Sequence, residues 1–254
     1  MLNDGIRTYI SNLPVGTIQP SLLPQDAAAP VTAVDINKLP DGIVTGSNMI
    51  QFPAGANPDV KASVALSLLA AQRVASNDHV LTTPEQWIDR HNTVLENLNW
   101  VVNKGGTVRS EIKGLNVAVN KAIIPFLTTA FGGAAIGALI LAALNNLQSM
   151  DASSPWITLF DQQSRRFNVT EYMFTVVSVQ DDQVSMQMAS ARFDATFGTT
   201  QVLFFKVSQQ NAAFDSVSET LSASASLLAD MNADLKVKLA NVTKSFIQSL
   251  PDIS

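Results

Sequence analysis

Residues 167–197 read FNVTEYMFTVVSVQDDQVSMQMASARFDATF, and this stretch decides the fold. Apolar and β-branched side chains fill two long runs, which predicts strands over Phe167–Val179 and Val184–Phe197. The acidic pair Asp181-Asp182 lies between the runs and is typical of a turn. Both predicted strands are about twice the usual length of five or six residues. The stretch therefore predicts one long antiparallel hairpin.

The second of these strands carries apolar side chains on both faces. Val184, Met186 and Met188 fall on one face by two-residue alternation, and Phe193 and Phe197 fall on the other. Because both faces need cover, we expect a sheet between two layers of helices. A sheet covered on both faces by helical hairpins meets this requirement.

Two further strands are predicted on either side of the long hairpin, over Trp156–Phe160 and Gln201–Ser208. Charge is sparse throughout this region, which makes transfer of the strands to an apolar environment less costly. The charged side chains between residues 167 and 208 are Glu171, Asp181, Asp182, Arg192, Asp194 and Lys206.

A hydrophobic segment precedes the strands, and no side chain is ionisable from Ala122 to Met150. Its apolar part is long enough for a membrane-spanning helix, which needs about 20 residues. However, two adjacent glycines, Gly132 and Gly133, lie at its midpoint, and glycine disfavours a continuous helix. We therefore expect a hairpin of two short helices that covers the sheet, with the two glycines allowing the hairpin to move.

Other helices are marked by capping signals at their starts. One begins at Pro58, and a second begins at Pro84 and extends to Gly105-Gly106. A third, amphipathic helix is predicted over Ser222–Leu250. Between the second helix and the hydrophobic hairpin, GTVRSEIKG (residues 106–114) alternates as a short strand.

Residues 1–58 hold seven of the eleven prolines, and residues 1–57 are predicted to form a leader or propeptide-like arm, with the main domain over residues 58–254. A short edge strand is predicted over Pro30–Ile36. Lys38 is the candidate site for activating proteolytic cleavage. The N-terminal sequence lacks a basic segment followed by an apolar one, so we expect a protein that is soluble when made and released without a Sec signal peptide.

The net charge, the absence of cysteine and the absence of known motifs exclude several classes of function. The net charge is −5, so nucleic acid is an unsuitable partner, and the chain has no cysteine for disulfides, thiolate metal sites or thiol chemistry. His79 and His91 do not have the spacing of a zinc site and are expected at the surface. No phosphate-binding loop, dinucleotide fingerprint or nucleophile motif is present. We therefore expect no enzyme, no cofactor and no metal.

With the strands placed, the chain resembles the cytolytic delta-endotoxin (Cyt) family and volvatoxin-like pore-forming toxins. The strongest match is QVLFFKV, residues 201–207, which is similar to the last core strand of that family. The order of neighbouring segments supports it: KASVALSLLAAQ, then Asn120-Lys121 at the start of the apolar hairpin, then Pro155-Trp156-Ile157 as the start of a strand. The resemblance covers residues 58–221.

The resemblance implies a fold of the α/β class: a single-domain, three-layer α-β-α sandwich whose mainly antiparallel sheet is covered by helical hairpins. It also implies a pore-forming cytolysin that acts extracellularly on target-cell membranes. Such a protein binds membrane lipids directly, is a monomer or dimer in its soluble form and assembles into a homo-oligomer on the membrane, often after proteolytic loss of terminal segments. Independently, two strands of about thirteen residues exceed the nine to eleven that a tilted strand needs to cross a bilayer. The candidate insertion residues are Val169, Tyr172, Phe174, Val176, Met186, Met188, Phe193, Phe197, Val202, Leu203, Phe204 and Phe205.

Other mechanisms and functions fit the same sequence. The hairpin Ile123–Leu147 could insert in place of the strands, or the protein could act like a detergent. A non-lytic lipid-binding protein or an interaction protein of the same fold is the main alternative function. One non-lytic branch of the fold uses an acylated cysteine, which this chain lacks. An enzyme with an apolar substrate channel would need a convergent polar cluster, and none is evident in the sequence.

Overall fold

The computed structural model describes residues 4–16, 34–111, 117–133, 135–194, 203, 206–207 and 213–251. The helices in these ranges are α1 Asp4–Asn12, α2 Pro58–Asn77, α3 Pro84–Asn97, α4 Val119–Ala130, α5 Ala138–Asn146, α6 Pro155–Gln163 and α7 Ala225–Phe246. The strands are β1 Gly42–Thr45, β2 Asn48–Gln51, β3 Val101–Asn103, β4 Thr107–Glu111, β5 Val117–Ala118, β6 Arg165–Arg166, β7 Val169–Gln180, β8 Gln183–Asp194, β9 Lys206–Val207, β10 Ala213–Ser224 and β11 Ile247–Ser249.

The main sheet has the strand order β11-β1-β2-β7-β8-β10-β3. Strand β4 pairs with β10 beyond the end of β3, and β6 pairs with β7. Every pair in this sheet is antiparallel except β2 with β7, which is parallel. Strands β5 and β9 form a separate two-stranded sheet. The mainly antiparallel sheet expected from the sequence is confirmed.

Strands β7 and β8 form the long hairpin that the sequence predicts. Each is 12 residues long, and they pair from Val169 with Asp194 to Gln180 with Gln183. The two-residue turn places Asp181 at φ 52°, in the left-handed region that aspartate tolerates better than most residues. Phe197, the predicted end of the second strand, lies outside the described residues.

Asp182 in this turn also caps helix α7. Its carboxylate accepts hydrogen bonds from the Ser226 backbone N–H at 2.9 Å and from the Ser224 hydroxyl at 2.6 Å. Its carbonyl oxygen accepts from the Ala225 N–H at 2.7 Å. These side-chain bonds, with Ser224 the larger contributor, hold the pKa of Asp182 below its usual value. The turn of the β7–β8 hairpin is thereby attached to the first turn of α7.

The third long strand differs from the prediction. Strand β10, Ala213–Ser224, pairs with β8, whereas the sequence predicts the strand that follows β8 at Gln201–Ser208. In the predicted segment, Leu203 lies in a turn, and Lys206–Val207 pair with β5 in the small sheet. The alternation in AFDSVSETLSAS places serine and charged residues between apolar ones, which conceals a strand among polar residues.

Two other predictions are wrong, one in the type of an element and one in the length of a helix. Residues Trp156–Phe160 belong to helix α6 rather than to a strand, because Pro155 fits the first helical turn and Trp156, Ile157 and Phe160 then share one buried face. Helix α3 ends at Asn97 instead of reaching Gly105-Gly106. Asn99 adopts a φ of 63°, which stops the helix, and the chain continues as β3.

Two hydrophobic clusters lie on opposite faces of the main sheet, which confirms the three layers. We call one side the α2 face, because α1, α2, α3 and α7 pack there against Met173, Met186 and other strand residues. We call the other side the hairpin face, because α4, α5 and α6 pack there against Phe174, Phe193 and their neighbours. Alternate residues of β7 and β8 serve the two clusters, as the two-residue strand period requires.

The predicted helical hairpin is confirmed as α4 and α5. Gly132 and Gly133 lie in its turn with φ values of 78° and 136°, which side-chain-bearing residues rarely adopt. The Asn120 side-chain amide donates to the Leu144 carbonyl at 2.7 Å and joins the two helices. Among the described residues, no helix combines the length and the apolar character needed to cross a membrane.

The N-terminal region supplies part of the sheet. Strands β1 and β2, between residues 42 and 51, are almost completely buried, and helix α1 packs against α7. The described part of the predicted edge strand, residues 34–36, lies outside any strand. The division of the chain at residue 57 stays a prediction, although residues 42–51 are an integral part of the main sheet.

Candidate functional site

The candidate insertion residues are divided between the two faces of the sheet. Tyr172, Phe174, Val176, Phe193 and Leu203 belong to the cluster on the hairpin face. Met186 and Met188 belong to the cluster on the α2 face, and Val169 is partly buried at the start of β7. The candidates Phe197, Val202, Phe204 and Phe205 lie outside the described residues.

Aromatic rings link the helices of the hairpin face to the strands beneath them. Phe160 of α6 stacks on Tyr172 with ring centroids 5.0 Å apart, and Phe126 of α4 meets Phe214 edge-on at 5.9 Å. Phe214 in turn stacks on Phe193 at 5.1 Å, across strands β8 and β10. Aromatic pairs in these geometries contribute about 0.5–1.5 kcal/mol beyond their buried area. The cover on this face is therefore held mainly by apolar contact.

The helical hairpin also makes a polar contact with the sheet. The Leu139 backbone N–H donates to the Gln51 side-chain carbonyl at 2.9 Å. Gly137 precedes helix α5 with φ 85°, and a Cβ atom there would lie 2.8 Å from Phe131 and 3.3 Å from Val176. Gly132 and Gly133 have open space around them, so only their positive φ restricts substitution. Close packing of the hairpin on β7 therefore depends on Gly137, a residue that the sequence did not single out.

A row of alternating charges crosses the sheet on the α2 face. Glu171 of β7 lies opposite Arg192 of β8, which lies opposite Asp215 of β10, which lies opposite Arg109 of β4. Glu171 and Arg192 approach to 3.2 Å, and Asp215 and Arg109 to 3.1 Å. Directly opposed charges of unlike sign stabilise neighbouring strands. This row marks the end of the sheet remote from the Asp181-Asp182 turn.

Arg192 also holds helix α3 against the sheet. Its guanidinium contacts Glu85, in the first turn of α3, while it binds the buried Glu171 of β7. The start of α3 is fixed by a reciprocal capping box between Thr83 and Gln86. Glu85 is 66% exposed, so solvent weakens its part of this bridge. We refer to Glu85, Arg192 and Glu171 as the α3 clamp.

A cavity of about 250 Å³ lies between α3 and strands β7, β8 and β10, and we call it the α3 cavity. Its lining contains four carboxylates and two cations together with apolar side chains. The charged lining residues are Glu85, Asp89, Glu171, Glu219, Lys104 and Arg192. Gly105 also lines the cavity and touches the backbone of Ser218 so closely that a Cβ atom there would lie 1.8 Å from the Ser218 carbonyl oxygen.

Two of these carboxylates are buried. Glu171 is 1% exposed, and its Oε2 has no hydrogen-bond partner among the residues described. Glu219 accepts hydrogen bonds from the Asn92 side-chain amide at 3.2 and 3.3 Å. Burial raises the pKa of Glu219, and the nearby charges of Glu171 and Asp89 add to that rise. The sequence shows these residues as isolated charges, and only the strand register brings them to one cavity.

His91 is buried, contrary to the surface position expected from the sequence. Its ring stacks on Trp87 with centroids 5.3 Å apart, and its Nδ1 lies 3.1 Å from the Asn92 side-chain oxygen. Burial lowers the pKa of His91 to about 4, and the charge of Arg166 contributes. A helical spacing of four residues places Trp87 and His91 on the same inward side of α3. His79 is exposed, as expected.

The remaining candidate features are placed as follows. Lys38 is exposed in a turn, where its N–H donates to the Asp35 carbonyl at 2.9 Å, so the position is accessible while cleavage there stays a prediction. Within the part of the chain that the structure describes, no group of three or more His, Asp or Glu residues is arranged to hold a metal ion.

Comparisons with known proteins give distant structural similarity. No protein-family model and no curated protein sequence matches the chain. A structure described as that of the Evf virulence factor is 14% identical, with 98% of this chain and 92% of that chain covered and a TM-score of 0.34. A delta-endotoxin structure is 13% identical, with 72% of this chain and 84% of that chain covered and a TM-score of 0.34. At this level the similarity carries no argument about activity, and membership of the Cyt family stays a prediction.

Proposed function

We propose that the protein permeabilises lipid membranes by transferring strands β7, β8 and β10 from between their helical layers into the bilayer. The observation that carries this proposal is the distribution of charge along the paired strands. The segments Tyr172–Gln180 and Gln183–Ala191 contain no charged side chain and each has nine residues. A tilted strand needs about nine to eleven residues to cross a bilayer, so the uncharged segments match one span.

The ends of the uncharged segments are polar. Asp181 and Asp182 occupy the turn, and the row that includes Glu171 and Arg192 lies at the other end. Such a pattern suits strands whose ends contact water or headgroups while their middle contacts hydrocarbon. Glu219 of β10 is the exception, and its raised pKa reduces the cost of moving it into an apolar environment in the protonated form.

Both helical layers must separate from these strands before lipid can replace them. The hairpin α4–α5 is the part best suited to leave first, because it contains no charged residue after Lys121 and rests on the sheet mainly by apolar contacts. Lipid could replace those contacts at little cost, since the hydrophobic effect does not distinguish a protein interior from a bilayer. In this proposal the strands insert and the hairpin moves aside.

Assembly into a homo-oligomer would satisfy the edges of the inserted strands. Within the described ranges, no strand pairs with the outer edge formed by β3 and β4. That edge includes Val101 and Val108, each 61% exposed. An open edge with exposed valines supports addition of a strand from a second copy. Direct action on membrane lipids outside the producing cell, and activation by cleavage at Lys38, belong to the same proposal.

Dye release from protein-free liposomes tests this function when a reducible cross-link holds the hairpin α4–α5 on the sheet. Because the chain has no cysteine, Gln51→Cys with Leu139→Cys introduces one pair at the site where the hairpin contacts β2. A short, reducible bis-maleimide cross-link at this pair should abolish dye release, and reduction of the linker should restore it. The matched control is a Ser178→Cys, Ser185→Cys disulfide between directly opposed residues of β7 and β8. This disulfide should leave release unchanged, because the two strands move together.

Two results would contradict the proposal. Wild-type protein that releases no dye, before and after mild protease treatment, would exclude permeabilisation of lipid. Full release by the cross-linked Gln51→Cys, Leu139→Cys variant would show that the hairpin does not need to leave the sheet.

A further inference from the structure

We propose that His91 is an acid-sensitive switch, and that its protonation releases helix α3 from the main sheet. The His91 side chain is completely buried. Its Nδ1 lies 3.1 Å from the Asn92 side-chain oxygen, so in the neutral ring Nδ1 carries the hydrogen and donates it to that oxygen. The other ring nitrogen, Nε2, has no hydrogen-bond partner among the described residues. With α3 on the sheet, the site therefore accommodates a neutral imidazole and offers an imidazolium no second acceptor.

A permanent positive charge lies close to His91. The His91 ring stacks on Trp87, and the guanidinium of Arg166 lies 3.7 Å from the centroid of the same Trp87 ring. Arg166 donates to the Ser47 hydroxyl at 3.0 Å, and neither Arg166 nor His91 forms an ion pair with a described residue. A proton on His91 adds a second cation beside Arg166 in a region of low dielectric, where like charges repel strongly. Release of α3 relieves this repulsion, because it moves His91 away from β6 and into water.

Charged and titratable groups from every element around α3 bear on this switch. From α1, α2 and the loop after α2 they are Tyr9, Arg73, Asp78 and His79; from α3 and the loop after β3 they are Glu85, Asp89, Arg90 and Lys104; from β6, β7, β8 and β10 they are Arg166, Glu171, Arg192 and Glu219. Ion pairs engage most of them: Arg192 with Glu85 and Glu171, Lys104 with Asp89, and Arg90 with Asp78. These paired carboxylates already have cations and do not contact His91.

Glu219 is the carboxylate that is linked to His91, through Asn92. The Asn92 amide donates to Glu219 at 3.2 Å while its oxygen contacts the His91 ring. Burial raises the pKa of Glu219, so acid neutralises this carboxylate over the range in which it charges His91. Glu219 therefore supplies no counter-ion in acid. Its own protonation favours the closed arrangement, with α3 on the sheet, so His91 is the group that drives opening.

The direction of the pH effect follows from the two states of His91. Burial, with the charge of Arg166 adding to it, lowers the pKa of His91 to about 4 in the closed arrangement, whereas an imidazole in water has a pKa near 6.5. Between these values the open arrangement binds a proton that the closed arrangement does not. The closed arrangement is favoured in full above pH 6.5 and loses this advantage as the pH falls toward 4. Through His91 alone, the equilibrium constant for opening rises about tenfold from pH 7.5 to pH 5.5.

Opening of α3 uncovers strand residues of the α2 face. Ile88 of α3 lines the α3 cavity with Met173 of β7 and Met188 of β8, which are both buried while α3 is in place. Helices α2 and α7 keep contacts that involve no titratable group, such as the Ser63 hydroxyl to the Leu228 carbonyl at 3.0 Å. Acid should therefore release α3 alone. A further consequence rests on the proposed function: wild-type protein should release dye from liposomes faster at pH 5.5 than at pH 7.5.

Hydrogen exchange of the α3 amides, in the full chain without lipid, tests the switch. Protection factors, which correct for the intrinsic exchange rate at each pH, should fall about tenfold in α3 between pH 7.5 and pH 5.5. In His91→Phe, which keeps a ring beside Trp87, they should stay nearly constant. His79→Phe, at an exposed position, is the matched control and should behave like the wild-type chain.

An NMR titration of the histidine rings covers the case in which His91→Phe does not fold. The chain contains two histidines, so each ring is followed separately. His91 should titrate well below His79. Arg166→Gln should raise the pKa of His91, because it removes the neighbouring charge. Arg109→Gln, which removes an exposed arginine at the edge of the sheet, is the control and should leave the His91 titration unchanged.

Two results would overturn the proposal. One is equal protection of the α3 amides at pH 7.5 and pH 5.5 in the wild-type chain, and the other is an equal loss of protection in the wild-type chain and in His91→Phe. Because these measurements contain no lipid, they are separate from the test of permeabilisation. A wild-type chain whose α3 opens in acid but which releases no dye at either pH would reject the proposed function and support the switch.

Discussion

The two faces of the main sheet are covered in different ways. On the α2 face, helices α2 and α7 are joined to their surroundings by buried polar contacts, such as Gln72 to the Thr45 carbonyl at 3.1 Å and Ser63 to the Leu228 carbonyl at 3.0 Å. The α3 clamp adds charge to that side. On the hairpin face, α4 and α5 present mainly aliphatic and aromatic side chains. Directional bonds fix the cover of the α2 face in a single arrangement, whereas under the proposed function the apolar contacts of α4 and α5 are exchanged for contacts with lipid.

The largest expected effect distinguishes helix α2, which covers the α2 face, from helix α5 of the hairpin that we propose leaves the sheet. Leu68→Ala in α2 and Ile140→Ala in α5 each truncate a completely buried side chain, and each should cost about 2–5 kcal/mol of stability locally. Leu68→Ala should lower the free energy of global unfolding measured with denaturant. Ile140→Ala should instead increase hydrogen exchange in α4–α5 and accelerate dye release. If both variants accelerated dye release equally, when compared at the same free energy of global unfolding, the two faces would not differ in how readily their helices leave the sheet.

A second prediction concerns the fit of the hairpin against β7. Gly137→Ala places a methyl group 2.8 Å from Phe131 in a left-handed backbone, and we expect a loss of about 1–3 kcal/mol in the stability of the hairpin. Gly132→Ala has the same backbone restriction but open space, so it should cost about 1 kcal/mol. Hydrogen exchange of the α5 amides measures both effects. A larger effect of Gly132→Ala than of Gly137→Ala would contradict the close approach.

The α2 face should respond to acid through His91. The folded-state pKa of about 4 lies below the ordinary value of 6.5, so the unfolded chain binds a proton in this window and the folded chain does not. Stability from this residue is complete above pH 6.5 and falls by up to about 1.4 kcal/mol per pH unit as the pH is lowered toward 4. Glu219 has a raised pKa and opposes this trend above its ordinary value.

Denaturant unfolding between pH 7 and 5 measures the effect of His91. His91→Phe keeps a ring beside Trp87. It should remove most of the decrease in the free energy of unfolding between pH 7 and 5, even if it lowers that free energy by the same amount at every pH. His79→Phe, at an exposed position, is the matched control and should leave the slope unchanged. An identical slope in wild type and His91→Phe would show that His91 does not control this dependence.

The smallest expected effect comes from the exposed arm of the α3 clamp. Glu85→Gln removes one charge of a pair that is open to solvent, so the loss should be less than about 1 kcal/mol and should shrink in high salt. Protection of the α3 amides from hydrogen exchange measures it. Asp4→Asn, an exposed acid in the first turn of α1, is the control and should leave α3 unaffected. A salt-independent loss of several kcal/mol would mean that Glu85 carries a larger structural role.

The sequence was informative where one periodic pattern dominates. The run from Val169 to Asp194 alternates strongly enough to predict β7, β8 and their turn, and the hydrophobic segment broken by Gly132-Gly133 predicts α4 and α5. It failed where a short motif fits two structures: Trp156, Ile157 and Phe160 can share a strand or a helix face. It also failed in β10, where serine occupies alternate positions and weakens the contrast between the two faces.

Most of the candidate site depends on pairings between distant segments. Glu171 and Arg192 lie 21 residues apart, and Asn92 and Glu219 lie 127 apart. A single sequence shows each of these residues without its partner, because strand register and helix placement decide which charges meet. Burial of His91 is similar, since it follows from the packing of α3 on the sheet. The apolar layers were therefore predictable, and the polar cavity between them was not.

The attachment of Asp182 to the start of α7 makes the two ends of the β7–β8 hairpin mechanically different. Four hydrogen bonds join Asp182, in the turn between β7 and β8, to residues 224–226 at the start of α7. Tension on the hairpin tip therefore loads α7 at once, and these bonds must break before the tip can separate from the helix. Among the described residues, no hydrogen bond joins the opposite end of β7 or β8 to α7. We therefore expect separation of β7 and β8 from the helices to begin at the charged row and to reach the turn at Asp182 last.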